Sequence, residues 1–450
     1  MIRPIAALTT VIALSLPAAA SAGGIFGTYP LNISVAPGGG AANGPSSAPA
    51  VSGDNRKTRY AAFQSDASNL VRGDTDGVTD VFVWSRPKGR AGLTLPPGSG
   101  SLRLASLTSG GGLANGPSRN PSLDGSIASR PHCVAFESDA SNMVPSDRDT
   151  TSDVFVRDLR ARRTFLVSRG ISAPATNPSI NGNCSRVAFV AGGKVLVAPV
   201  SAGRPRVLGA GSDPDYSLDG RAVTWAQGGN VVFVRDGRKA VVGPGSNPTV
   251  TDAQRLHGQL APSWGVSFDT PKALTPSDQN PGVDTYLRVF GPTGGVARTT
   301  LITHAQPKVH FDGRGNNYNG GVSAYATMRG IVSFVHHEGM ASDAYYWNQH
   351  TGNADDTAHA TATDGEPAIT QMVTSARANF ISFTSDGFMG SPLGRMAAAG
   401  SPPLPQLPGG GMPQMPQLPG GGIPAAPQAP GASQHTQNVY FKMLANGQPI

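Results

Sequence analysis

The stretch "SDASNLVRGDTDGVTDVFV" at residues 65–83 returns, barely altered, as "SDASNMVPSDRDTTSDVFV" at residues 138–156. A segment copied within one chain is the mark of a repeated structural unit that extends along the chain on either side of it. Each copy ends in a β-branched and aromatic run, Val81-Phe82-Val83 and Val154-Phe155-Val156, which reads as a buried strand. The same run continues as Val195-Leu196-Val197, Val232-Phe233-Val234, Thr285-Tyr286-Leu287, a stretch around Tyr345, and Val439-Tyr440-Phe441.

Upstream of each run lies a strand that ends in an aromatic: Phe63, Phe136, Phe189, Trp225, Phe268, Phe334 and Phe383. Ahead of that strand stands a Pro-x-apolar pattern, at Pro49, Pro121, Pro178, Pro214, Pro248 and Pro367. The spacing places the proline at the first residue of a strand, where it costs no ladder hydrogen bond. Between the two strands sit turns such as "SLDGRAVTW" and "SINGNCSRVAF", whose Asp-Gly and Asn-Gly pairs supply the positive φ of a hairpin. Seven such units run from about Pro49 to Phe441. With the late insertion set aside, each has roughly fifty residues, the size of one four-stranded propeller blade.

Composition agrees. Of 450 residues, 58 are glycine and 39 proline, while charged residues make up only 14%, which suits short strands and tight turns better than helices. The expected fold is all-β, a single β-propeller of four-stranded blades, with seven blades or six. "SLDGRAVTW", "SINGNCSRVAF" and the "SDASN" to "DVFVRD" cassette resemble the repeats of TolB-like (WD40-like) β-propellers, in particular their exported bacterial members. The resemblance is sharpest in the first four units. The adjacency of Asp219 and Gly220 separates the pattern from the Ser-x-Asp-x-Gly box of sialidases.

The ring's closure is legible too. "LRLASLTSGGGLANGPS" at residues 102–118 precedes unit two, and a relative, "LNISVAPGGGAANGPS", stands at residues 31–46 with no earlier blade to complete. The last unit lacks an outer strand, so residues 31–35 are expected to close it and seal an exposed sheet edge.

Residues 1–22 read as a signal peptide: Arg3, the apolar run "IAALTTVIALSL" and the small-residue site "AAASA". That run is shorter than the ~20 residues a bilayer span needs. The mature chain, 23–450, is therefore expected to be secreted or periplasmic, without a membrane span, and monomeric. A Pro/Gly-rich low-complexity tract at about 387–436 falls inside the last blade and reads as an extended surface insertion. The net charge of +7 is spread out, without a basic stripe interleaved with aromatics, which argues against nucleic acid.

Asp74, Asp76 and Asp80, spaced two and six residues apart around Gly77, could turn several oxygens toward one calcium ion. Copies recur as Asp147, Asp149, Asp153 and as Asp278, Asn280, Asp284, without the downstream glutamate of an EF-hand. The competing reading is Asx-turns that bond nearby N–H groups, with no cofactor at all. Cys133 and Cys184 lie just ahead of the aromatics of neighbouring units, so blade stacking could bridge them, although their registers differ by two residues. His336-His337-Glu338 lies on a strand, where neighbours point to opposite faces, and His304 and His310 have no identifiable third ligand.

No Gly-x-Ser-x-Gly, His-Glu-x-x-His or Gly-Lys-Ser/Thr motif occurs. The expected function is a non-catalytic binding or scaffold module for an extracytoplasmic protein or cell-surface polysaccharide. The competing class is a metal-dependent hydrolase or lyase working in the central channel.

Overall fold

The computed structural model describes residues 30–54, 58–87, 99–126, 128–253 and 263–304, and beyond them residues 316–322, 331–338, 341–348, 353–361, 369–374, 380–385, 388–390 and 437–443. The signal segment, His310, Pro367 and residues 391–436 of the insertion lie outside them.

The strands form seven sheets arranged in a ring. Blade one runs from the inner strand Ser46–Val51 through Tyr60–Ser65 and Asp80–Ser85 to the outer Ser101–Leu104. Blades two to five repeat it, with inner strands Ser118–Leu123, Ala175–Ile180, Ser212–Tyr216 and Ser246–Val250. Blade six starts at Asn316–Val322, and blade seven at Ile369–Thr374 followed by Phe380–Ser385 and Asn438–Met443. Its outer strand is Leu31–Asn32, paired antiparallel so that Leu31 faces Phe441, and the Ile33 N–H donates to the Val439 carbonyl at 2.9 Å. The N-terminus therefore closes the ring, and the blade count is seven.

Why both kinds of side chain in "DVFV" are apolar is now plain. Each sheet is packed on both faces, so Val81 and Val83 join the core shared with blade two while Phe82 joins the core shared with blade seven. Phe82 lies directly opposite Phe63 with ring centroids 5.8 Å apart, and the same stacked pair recurs as Phe136–Phe155, Phe268–Tyr286, Phe334–Tyr345 and Phe383–Tyr440. Blade four departs from the expected alignment. Trp225 is opposite Val232, while Phe233 is opposite Thr224. That one-residue offset sends Phe233 to the other face, where it packs on Trp264 and Phe290 of blade five.

The prolines correct a second expectation. Pro49, Pro121 and Pro178 are the fourth residues of their strands and Pro214 and Pro248 the third, not the first. They are tolerated because the preceding residue, Ala48, Asn120, Asn177, Asp213 or Asn247, sits at φ 48 to 52° and the ladder skips two residues there. A β-bulge thus removes the hydrogen bond that proline cannot donate.

Turn chemistry is likewise mixed. Gly125 (φ 116°) and Gly220 (φ 72°) take the expected positive φ, whereas in the Asn181-Gly182 pair it is Cys184 that does so, at 58°. Glycine is needed at 182 for space. A Cβ there would lie 2.6 Å from the Gly125 carbonyl oxygen and 2.7 Å from that of Leu218.

The "ANGPS" and "SDASN" copies prove to be staples between connections. Asn69 Oδ1 accepts the Asn43 N–H at 3.0 Å while its Nδ2 donates to the Ala41 carbonyl, and Asn142 does the same for Asn115 and Leu113. One short strand was not foreseen. Phe388–Gly390, at the start of the insertion, adds a fifth strand to blade six by pairing with Asn353–Thr361.

Candidate functional site

The three aspartate loops connect second to third strands of blades one, two and five, so they share one face of the ring. In each, the last aspartate is fixed by a hydroxyl that follows the outer strand. Ser106 Oγ donates to Asp80 and Ser168 Oγ to Asp153, while Thr303 Oγ1 donates to Asp284 at 2.6 Å. The same hydroxyls accept the N–H groups of Val81, Val154 and Thr285. Blade seven follows suit with Ser34 accepting the Val439 N–H at 2.8 Å, and there Asn438 takes the aspartate's place. The signal for this was a Ser or Thr just beyond each outer strand, which the strand pattern alone did not single out.

The middle residue makes the expected Asx-turn: Asp76 Oδ1 accepts the Val78 N–H and Asp149 Oδ1 the Thr151 N–H. Carboxylate oxygens of Asp74, Asp76 and Asp80 nevertheless lie within 4.8 Å of one another, as do those of Asp147, Asp149 and Asp153. Burial pushes Asp80 up to about 7 against the lowering effect of Ser106, with the Asp76 and Asp74 charges adding to the rise. Burial, then the Asp76 charge, pushes Asp74 up to about 6. In blade five the Tyr286 hydroxyl donates to Asp278.

Elsewhere, Cys133 and Cys184 are joined by a disulfide, with Cα atoms 6.0 Å apart. Cys184 lies in the turn before its strand, which absorbs the register difference of two. Asp124 and His132 lie beside the bridge, but Asp124 Oδ1 accepts the His132 and Cys133 N–H groups and the sulfurs are bonded to each other. His336 and His337 point to opposite faces as expected. His336 Nδ1 contacts Asn317 Oδ1 and His337 Nε2 the Ile369 carbonyl, both at 2.9 Å.

The inner strands carry a lining that sequence reasoning did not single out. Its members are the bulge residues Ala48, Asn120, Asn177, Asp213 and Asn247, the last three exposed, together with Thr370, Gln371 and Tyr318, which is 40% exposed. In blades one, two and five the residue after the second-strand aromatic latches the next blade: Gln64 accepts the Asn120 N–H, Glu137 the Asn177 N–H and Asp269 the Asn319 N–H. At the opposite end, turns of blades one to four meet across the axis. The Gly125 N–H donates to Gly182 and the Gly182 N–H to Leu218, and a Cβ on Gly53 would lie 2.5 Å from Leu218 Cδ1. A cleft of about 340 Å³ lies apart from both regions, between the closing segment and blade one, walled by Ile33, Leu70 and Trp84.

Several buried carboxylates outside the loops are also raised. Burial pushes Asp252 and Asp269 up to about 7 and Asp215 up to about 6. The folded state then holds protons that the unfolded chain has released, so stability is greatest below about pH 4 in this contribution and is lost as pH rises through 6 to 7. Each two-unit shift corresponds to about 3 kcal/mol, so a fall of several degrees in melting temperature is expected between pH 5 and 8. A melting temperature that climbs over that interval, followed by scanning fluorimetry, would contradict it.

No family model matches the chain, and no curated protein matches it. Solved structures it is similar to include the β-propeller domain of the Trilobed protease from Pyrococcus furiosus, which has an open velcro topology, at 10% identity over 76% of this chain and 91% of that one, TM-score 0.41. A TolB candidate from Agrobacterium tumefaciens is 11% identical over 59% of this chain and 87% of that one, TM-score 0.35. An oligogalacturonate lyase in complex with manganese is 9% identical over 57% and 68%, TM-score 0.35. The chain is a seven-bladed β-propeller on its own strand pairing. Among the described residues, no helix is long and apolar enough to cross a membrane.

Proposed function

We propose that the protein is an exported, non-catalytic propeller that binds a cell-surface polysaccharide through the lining of its inner strands. The observation that carries this reading is the chemistry of that lining: exposed amides, a hydroxyl, the single carboxylate of Asp213 and one exposed tyrosine, contributed by successive blades. Planar amides bond sugar hydroxyls in both directions, and a tyrosine offers a flat apolar face for a sugar ring. The buried acids nearest the lining are occupied as latches. Glu137 accepts from Asn177 and Asn120, and Asp269 from Asn319, Asn247 and Thr285. That occupation favours a binding module over a hydrolase or lyase. The amides and the tyrosine favour a polysaccharide over a protein as the partner.

The test is binding of the purified mature chain to a panel of bacterial polysaccharides, followed by titration of the best ligand. Tyr318→Ala and Asn177→Ala are each expected to weaken binding by about tenfold, equivalent to about 1.4 kcal/mol. Because several blades contribute, the double variant should lose more than either single one. Turnover of a defined polysaccharide, abolished by changing one or two acids or histidines, would overturn this reading.

A further inference from the structure

We propose that Asp74, Asp76 and Asp80 of blade one form a binding site for a single calcium ion. The proposal is independent of the polysaccharide reading. It does not rest on the presence of three acids, since Asp76 is exposed and engaged in its own turn. It rests on Asp80, which is 1% exposed, whose Oδ2 is buried without a partner while Oδ1 is held by Ser106, and which lies within 4.8 Å of the carboxylates of Asp76 and of Asp74, itself 4% exposed. A buried charge without a partner is costly, and like charges gathered within 4.8 Å repel. No basic side chain pairs with any of the three among the described residues. A divalent cation offsets both penalties at once.

The donors are all carboxylate oxygens, which selects a hard cation. Calcium fits better than magnesium because it accepts several carboxylates in an irregular shell, whereas magnesium holds to near-ideal octahedral geometry and keeps its waters. Gly77, at φ 68° with open space where a Cβ would stand, supplies the turn that brings Asp80 back toward Asp74. Blade five provides an internal contrast. There Asn280 stands at the middle position, so only two carboxylates face that loop, and the Tyr286 hydroxyl donates to one of them, Asp278.

The experiment titrates calcium chloride into chelator-treated, purified mature chain, read by calorimetry and by melting temperature. Calcium should bind, and at a hundredfold excess over Kd the melt should rise by the several degrees that about 2.7 kcal/mol of linkage implies. Magnesium at the same concentration should do far less. Asp74→Asn should abolish the calcium response yet melt no lower than the parent protein in chelator, because it removes a repelling charge. Asp76→Asn, at an exposed position, gives the same loss of response if the first variant fails to fold. Asp278→Asn in blade five should leave the response intact. The proposal is overturned by a parent protein indifferent to calcium at about 10 mM, above the range of weak extracellular calcium modules. Equal response to magnesium, or a response that survives Asp74→Asn and Asp76→Asn or disappears in Asp278→Asn, also overturns it.

Discussion

Deleting residues 23–40 is expected to lower the melting temperature by about 5–10 °C without preventing expression of the remaining ring. Those residues supply the outer strand of blade seven, and three of their contributions are lost together. Leu31 and Ile33 are buried in the core shared by blades seven and one, where each contributes about 2–3 kcal/mol. Ser34 Oγ accepts the Val439 N–H, which would be left without its partner. The ring contact between Trp84 and Phe441, 5.0 Å between centroids, would lose its cover from that core. The edge of Asn438–Met443 would then be open to pairing with another chain, so the shortened protein should also aggregate at lower concentration. Thermal melting and light scattering of the two chains check both expectations. An unchanged melt would mean that closure contributes nothing to stability.

The second large effect is expected from the bridge between blades two and three. Cys133 and Cys184 are 51 residues apart in sequence, and a cross-link over a loop of that length removes about 4 kcal/mol of freedom from the unfolded chain. The paired replacement Cys133→Ala and Cys184→Ala should therefore lower the melting temperature by several degrees. Treatment with dithiothreitol should lower the parent melt by a similar amount and leave the variant unaffected. Thiol titration of the native, unreduced protein should find no free thiol. Two reactive thiols would refute the bridge. Cys133 is fully buried at the start of its strand, so the alanine pair removes sulfur from a packed site as well. That cavity adds to the loss in the variant but not to the effect of reduction, which separates the two contributions.

Much of this molecule could be read before any fold was known, and the limits of that reading have physical causes. The second-strand aromatics and the "DVFV" runs were visible because each sheet is buried on both faces, which demands apolar residues at consecutive positions wherever the strand occurs. Closure by residues 31–35 was visible because the N-terminus repeats a segment whose role blade one makes plain. The Asx-turns at Asp76 and Asp149 were one of the two readings their spacing allowed, because a bond to an N–H two positions on is encoded locally.

What the sequence left undecided depends on partners remote along the chain. The mid-strand prolines need a bulge, and nothing beside Pro121 announces that Asn120 adopts φ 49° with its N–H bonded to Gln64 of the previous blade. Phe233 changes face through a shift of one residue that leaves composition untouched. Gly182 is required because Gly125 and Leu218, from the blades on either side, press on it, and Gly53 meets Leu218 across the axis. Asp74 and Asp80 were visible as spaced acids, but only the fold buries both, ties Asp80 Oδ1 to Ser106 and leaves its Oδ2 without a partner. The sequence by itself determined the repeat, the strand order and the closing segment, because these follow from burial patterns within one blade and from segments that recur along the chain. The tertiary structure decided which faces meet, which glycines are obligatory and which carboxylates are left uncompensated, because those depend on distances between blades that no local spacing records.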